Sequence, residues 1–502
     1  MAKQIPTSFT GAANVDLLNS KTGAPASYAS IVGNQGDSEL RTQIWSELVK
    51  RDAREKNVLK DFIGGEGSGK PIVEKRDLSA GGSDKVVFTT VAPIRGQGVL
   101  GEAILKNSTE TLKFGTFPVE VDLIRHAVSW TQVLKLMRFT GKTLDQLSSE
   151  VMSEWYARKE QDDSMYVARQ TCLLKGADNT LDDYGSLGGA LSYASDGLST
   201  DLLEHLKQRL IAVGGEPTQI RTDSKSGHEI PGYLFFAPDA GLRPLRGDQD
   251  YLNAIYNADV RSSDNKLYSG EYSMWDNILV YSHNNIIDTA NGRQGSPMAP
   301  VYYLQPGETL AIDASNGTLG SDIGDWFANW SMANLDLISG DTQWDDTSDT
   351  SNGNFLAIGM SGANRGKVKH FTYSANTITK ITGISVEGTS FGAGSNGIGA
   401  DAATGDFGQG DLIVPADSNG TPICYGLMMA KNALYYAKGA VDAEQIFHYD
   451  DFANSGNDAH LNAIGMQGIR GWRAYQDTNG RLPGLQLIKL VRQIPGLSVA
   501  TS

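Results

Sequence analysis

Two short segments of this chain carry the two-residue period of half-buried strands, and what lies between them limits the possible folds more than any other feature. Lys85–Val91 (KVVFTTV) is one. Pro118–Ile124 is the other, with Val119, Val121 and Leu123 alternating with Glu120 and Asp122. The intervening stretch from Arg95 to Thr111 has glycines at 96, 98 and 101 and little core-forming pattern. The spacing predicts a hairpin whose long tip projects from the body, and a tip without a core of its own needs a partner.

Around this hairpin the chain reads as mixed helix and strand. Residues 1–37, rich in Ser, Ala, Gly and Asn, form an extended arm with no core to join. A helix is expected from Ser38 to Ile63, where Leu40, Ile44, Leu48, Val58, Leu59 and Phe62 recur at helical spacing before Gly64-Gly65 ends it. A capping box at Thr143 and Gln146 opens a second helix, which runs from Leu144 to Lys175 with Leu144, Leu147, Val151, Trp155, Tyr166 and Leu173 on one side and Gly176 closing it. At 1.5 Å per residue it would be roughly 48 Å long, enough to act as a beam. A further helix is expected around Leu202–Val213 and a strand at Tyr233–Ala237.

Residues 286–420 then change texture, with 21 glycines, 15 Asp+Glu against 5 Lys+Arg, and Asn-Gly pairs beginning at 291, 316, 352, 396 and 419. Asn-Gly suits the tight primed turns of hairpins, so this region reads as an inserted, surface-exposed all-β subdomain. Beyond it Ile423–Ala437 is strongly apolar, and Asn479-Gly480 predicts a final hairpin between Gly471–Tyr475 and Leu485–Val491.

The charge balance narrows the function classes. Up to Thr180 there are 23 Lys+Arg and 22 Asp+Glu; subtracting these from totals of 43 and 58 leaves 20 against 36, so the acidity belongs to the later part. Such a surface repels nucleic acid and argues against a sequence-reading binder. No apolar run approaches the roughly 20 residues of a membrane span, and the N-terminal residues lack a secretion signal. Cys172 and Cys424, far apart in apolar surroundings, read as buried free thiols of a reducing compartment.

Three motifs suggest chemistry without its required context. Gly64-Gly65-Glu66-Gly67-Ser68-Gly69-Lys70 resembles a phosphate-binding loop, but Pro71 stands where Ser or Thr would hold magnesium, and an extended stretch follows where a helix is needed. It reads as a connector. Gly96-Gln97-Gly98-Val99-Leu100-Gly101 spells the dinucleotide fingerprint, yet Asn107, Ser108 and Thr109 lead toward a strand and not into the helix of a βαβ unit. Gly388-Thr389-Ser390-Phe391-Gly392 has the letters of a nucleophile elbow followed by a helix-poor sequence and no partnered histidine. The acidic group Asp345, Asp346 and Asp349 lacks the alternation of a calcium loop. Trp326, Trp330 and Trp344 read as the core of the inserted region, with a carbohydrate contact as the alternative. No catalytic, cofactor-binding or metal-ligating residue is therefore assigned.

The order of these elements resembles the tailed-phage capsid fold called the Hong Kong ninety-seven (HK97) fold, an α+β architecture. Ile44-Trp45-Ser46 leading to Val58-Leu59-Lys60-Asp61-Phe62-Ile63-Gly64 is similar to the N-terminal half of the major capsid family of N-four-like phages. So are Gly96–Glu102, Glu110-Thr111-Leu112-Lys113-Phe114 and Val119–Val128. The resemblance covers about residues 38–175, is weaker at Gly471-Trp472-Arg473, and is absent over 286–420.

It implies an N-terminal arm (1–37), an N-terminal helix and connector (38–84), an extended hairpin (85–125), a spine helix with peripheral and axial domain (126–285), the inserted β subdomain (286–420), and the rest of the axial and peripheral domains (421–502). It also implies a non-enzymatic shell subunit without cofactor that forms hexamers and pentamers. The expected partners are portal, scaffold or decoration proteins and double-stranded DNA held without sequence preference; no membrane is involved. The shell would be assembled in the host cytoplasm and located in the virion. On this reading Lys85–Arg125 finds its stability on adjacent copies and not within its own subunit. Alternative readings are an encapsulin-type compartment shell and a β-rich adhesin or decoration protein.

Overall fold

A computed structural model describes residues 59, 62–76, 85–91, 99, 111–112, 114–131, 144–175, 179–181, 191, 193, 196–222, 229–257, 274–282, 297–299, 301–304, 307, 309–319, 353–360, 362–373, 375–376, 381–387, 398–399, 401–417, 419–439, 445–449, 461–477, 480–494 and 497. In chain order these form β1 (Ile63–Gly64), β2 (Ile72–Lys75), β3 (Lys85–Val91), β4 (Phe114–Glu120) and β5 (Asp122–Thr131), then helix α1 (Leu144–Lys175) and β6 (Thr180–Leu181). Next come α2 (Thr200–Val213), β7 (Thr218–Thr222), β8 (Glu229–Ala237), α3 (Asp239–Leu242), α4 (Gln249–Asn257), β9 (Met274–Trp275) and β10 (Ile278–Ser282). The region after these holds β11 (Tyr302–Tyr303), β12 (Ser315–Leu319), β13 (Gly353–Ile358), β14 (Val368–Tyr373), β15 (Ala375–Asn376), β16 (Ile381–Val386) and β17 (Leu412–Pro415). The chain closes with β18 (Ile423–Met429), β19 (Leu434–Lys438), β20 (Gln445–Tyr449), β21 (Leu461–Ala474) and β22 (Leu485–Val491).

The strands build four sheets. One runs β1-β2-β19-β21-β20 with β5 also on β21, and a second runs β6-β22-β18-β8-β10-β9 with β7 on β8. A third is made wholly of the later insertion, β11-β17-β13-β14-β16-β12 with β15 on β16, and the fourth is the two-stranded ribbon β3-β4. Local chemistry fixes several element ends. Ser199 caps α2 by accepting from the Leu202 amide, and Gly214 ends it in the left-handed conformation. Along α2, Leu202, Leu203, Leu206 and Leu210 are buried at helical spacing, which seats the helix beside β8, β18 and β22. Asp276 and Asn277, both at positive φ, make the two-residue turn that joins β9 to β10.

α1 has the bounds expected from its sequence, but not the expected single apolar side. From Gln161 to Leu173 every residue except Asp162 is buried, charged ones included. Asp163 meets Lys159 at 2.7 Å and the fully buried Arg470 of β21 at 3.3 Å. Arg169 donates to the Pro297 carbonyl at 2.6 Å and lies against the rings of Tyr166 and Tyr425. This part of the beam thus runs through the interior, where Asp163 and Arg169 are tolerated because they meet a counter-charge, a carbonyl or a ring.

Three other expectations need correction. The described part of the inserted region is built of β-strands apart from a 3-10 turn at Gly362–Asn364, but its sheet is not surface-exposed. Phe355, Ala357, Phe371 and Ile413 pack into its own core, while Leu356, Ile358, Val368, Leu412 and Val414 join the main core of the chain. The alternation of each strand supplies both faces. The final hairpin does not form, because β21 pairs with β19 in one sheet whereas β22 pairs with β18 in another. The Asp477–Arg481 turn that follows β21 does close, through Asp477 N–H to the Arg481 carbonyl and Gly480 N–H to the Asp477 carbonyl, but it carries the chain from one sheet to the next. Of the Asn-Gly pairs, Asn419-Gly420 makes a tight turn, whereas Asn316-Gly317 sits at a bulge within β12. The arm, most of the Ser38–Ile63 helix and the tryptophans at 326, 330 and 344 lie outside the described residues, but Ile63, expected to end that helix, is the first residue of β1.

Candidate functional site

The ribbon is built from seven cross-strand pairs, from Lys85↔Glu120 to Val91↔Phe114. Its second strand is therefore Phe114–Glu120, not the expected Pro118–Ile124; the chain breaks at Val121 and continues as β5 in a different sheet. Alternation divides the ribbon into two faces. Val86, Phe88, Phe117 and Val119 point inward and are buried, while Val87 on the opposite face is 46% exposed and Phe114, on the same face as Val87, is 67% exposed. Leu112, just before β4, is 57% exposed, and Leu123, just after the break, is 44% exposed. Pro118 lacks an N–H and sits opposite Val87, so that pair fits a position where backbone groups point away from the partner strand.

The inner face rests on a platform that the sequence did not reveal. Val73 of β2, Tyr435 and Ala437 of β19, and Tyr475 beyond β21 complete a small core with the four inward ribbon side chains. Tyr435 touches both inner aromatics, at 4.7 Å from Phe88 and 5.2 Å from Phe117 between ring centroids. Burial pushes its hydroxyl pKa up to about 12, so it stays protonated. The ribbon therefore does find stability within its own subunit at its base, contrary to expectation.

Two cations clamp it there. Lys75 donates to the Val87 carbonyl at 2.9 Å and lies 5.7 Å over the Phe88 ring. Arg473 donates to the Pro118 carbonyl at 2.8 Å and lies 4.7 Å over the Phe117 ring. Since Val87 faces Pro118 and Phe88 faces Phe117, both cations grip the same two rungs from opposite strands. At the root, Lys85 and Glu120 pair at 2.5 Å, and the hydrogen bond and charge of Lys85 lower the Glu120 pKa.

Gly471-Trp472-Arg473, three adjacent residues of β21, each hold a different part of this junction. A Cβ built on Gly471 would lie 1.8 Å from the Glu120 carbonyl oxygen, so ribbon backbone passes directly against strand backbone. Trp472 stacks on Tyr436 at 4.0 Å and 9° between planes, and Arg473 is the second clamp. The preceding Arg470 is the buried partner of Asp163, which ties the junction to α1. Only the sequence resemblance pointed to the first three, and no local pattern marked them.

The tempting motifs find no chemistry here. The Gly64–Lys70 segment links two short parallel strands, β1 and β2, and the extended stretch expected after it is β2. Gly96–Gly101 lies outside the described residues except Val99, and the flanking β3 and β4 pair antiparallel, which a βαβ nucleotide unit cannot do. Gly388–Gly392 also lies outside them. Cys172 and Cys424 are buried thiols, and burial raises both, Cys424 to about 12, so neither is a thiolate nucleophile near neutrality. Among the described residues no group of three or more His, Cys, Asp or Glu is placed to hold a metal ion, and no described helix is long and apolar enough to cross a membrane.

Compared with known protein families and with curated protein sequences, the chain matches none. Among solved structures it is similar to the capsid of Ralstonia phage GP4, with 14% identity, a TM-score of 0.48, and 88% of this chain and 93% of that chain covered. It is similar also to the capsid of Cyanophage Pam1, with 12% identity, a TM-score of 0.48 and coverage of 88% and 93%. The head protein of Helicobacter pylori bacteriophage KHP40 follows at 11% identity, a TM-score of 0.46 and coverage of 86% and 90%.

Proposed function

We propose that this chain is the major capsid protein of a tailed phage, a shell subunit of the HK97 type whose ribbon lies across a neighbouring copy. The observation that carries the reading is the division of the ribbon: a buried inner face clamped to its own subunit, and an outer face that presents Val87, Phe114 and the adjacent Leu112 to solvent. A two-stranded ribbon is marginal alone, and apolar side chains gathered on one projecting element mark an interaction surface. When the outer face of one copy meets a different surface of the next, the contact is heterologous, and repetition closes into rings. Hexameric and pentameric rings then tile an icosahedral head around double-stranded DNA. The acidic later part of the chain suits such a container, which confines DNA by geometry and does not grip it.

The reading assigns no reaction, cofactor or metal to the chain. It places the protein in the virion after assembly in the host cytoplasm, with portal, scaffold or decoration proteins as further partners. Electron microscopy of the concentrated full chain tests it: closed particles are expected, and a protein that stays monomeric at every concentration and is missing from virions overturns it.

A further inference from the structure

We infer that Gly471 and Val121 form the pivot that sets the angle of the ribbon, and hence the curvature at which copies meet; the second half of this inference rests on the assembly reading above. The strand break falls on Val121, between β4 in the ribbon sheet and β5 in the body sheet, so any change in ribbon direction is absorbed there. β5 is held along β21 by a register that runs from Leu461↔Thr131 to Arg470↔Asp122 and stops one residue short of Gly471. At that point the Glu120 carbonyl oxygen would stand 1.8 Å, and the Val121 Cα 3.2 Å, from a Cβ on residue 471. Both obstacles are main chain, which cannot swing aside as a side-chain tip can. The absence of a side chain at 471 therefore lets the ribbon descend onto its platform.

The grips beyond the pivot hold that angle. Arg473 and Lys75 bind carbonyls on the two ribbon strands, and their partners Val87 and Pro118 lie only two rungs from the Lys85↔Glu120 pair at the root. Close to the pivot, the clamps allow little angular play. Farther out, at Phe114, the same small rotation becomes a large displacement, since the six steps between the seven rungs, at about 3.4 Å each, give a lever of roughly 20 Å. Val121 is half-buried and packs against the platform core. Any methyl at 471 must lift the root, strain the clamps and re-aim the outer face.

The test is Gly471→Ala in the full chain, with amide hydrogen exchange of the unassembled protein and particle diameter by electron microscopy as separate readouts. Exchange at Val86–Thr89 and Phe117–Val119 is expected to rise by about tenfold or more while α1 keeps its protection, because only the ribbon is lifted. Particles, where they form, are expected to vary in diameter. Unchanged ribbon exchange together with wild-type diameter overturns the inference. Should Gly471→Ala not fold, Val121→Gly leaves residue 471 intact and frees the same pivot, and the same rise in ribbon exchange is required of it; its absence is equally fatal. If the wild-type chain forms no particles, the assembly reading fails, while the exchange result still decides whether Gly471 seats the ribbon.

Discussion

The inserted sheet and the ribbon are both antiparallel, and both place apolar residues on alternate positions, yet they end with opposite surfaces. In the inserted sheet each face has a cover: Phe355, Phe371 and Phe407 fill a core on one side, and Leu356, Val368 and Val414 enter the main core on the other. In the ribbon only one face is covered, and Phe114 and Val87 stand bare. Burial on both sides makes a sheet that stabilises its own subunit. Burial on one side leaves surface to bury elsewhere, which is what a subunit needs if its fold is to be completed by its neighbours.

The contrast can be broken most forcefully inside the inserted sheet. Phe371 is fully buried, stacks on Phe355 at 5.3 Å and meets Phe407 edge-on at 6.2 Å. Phe371→Ala should cost about 4 kcal/mol of stability in chemical denaturation.

Next in size is a pH effect from the same sheet. His370 is buried, faces the Asn354 side-chain oxygen at 3.0 Å, and is pushed by burial from 6.5 to about 4. The folded chain keeps it neutral while the unfolded chain protonates it below about 6.5, so the unfolded state binds more protons across that interval. Its contribution is complete above pH 6.5 and is lost as pH falls toward 4, by about 3 kcal/mol. Denaturation midpoints measured between pH 7 and 4 should show this slope, and His370→Gln should flatten it. The ribbon root, with its exposed Lys85–Glu120 pair, should add little to it.

A smaller effect is expected at the clamp. Arg473→Met removes a charged hydrogen bond and a ring contact, worth about 2 kcal/mol locally. It should appear as faster exchange in β4 with the melting of α1 little changed. The smallest effect on the subunit is expected from Phe114→Asp on the bare face, within about 0.5 kcal/mol.

Local features of this fold were legible where local chemistry decides them. In the sequence, the Thr143 and Gln146 pattern and the glycine at 176 bracket the observed Leu144–Lys175 bounds of α1, and alternation in KVVFTTV marks β3. What was missed depends on partners distant in sequence. Asp163 is tolerated inside α1 because Arg470 reaches it from 307 residues away. Leu485–Val491 pairs with Ile423–Met429 and not with its nearer neighbour, because a turn signal at 479–480 fixes a reversal but not a strand partner. Gly471 gives no signal in its own strand, since what requires a glycine there is the carbonyl of Glu120. The split of the ribbon into a clamped and an exposed face was not legible, because Lys75, Tyr435 and Arg473 come from three separate segments.

The most direct test of the account pairs two readouts on wild-type and Phe114→Asp protein: sedimentation of the concentrated chain and thermal melting of its unassembled form. The account predicts shell-sized particles for the wild type, only small species for the variant, and the same melting temperature for both. Equal assembly by the two proteins, or a wild type that never leaves the monomer, would contradict it.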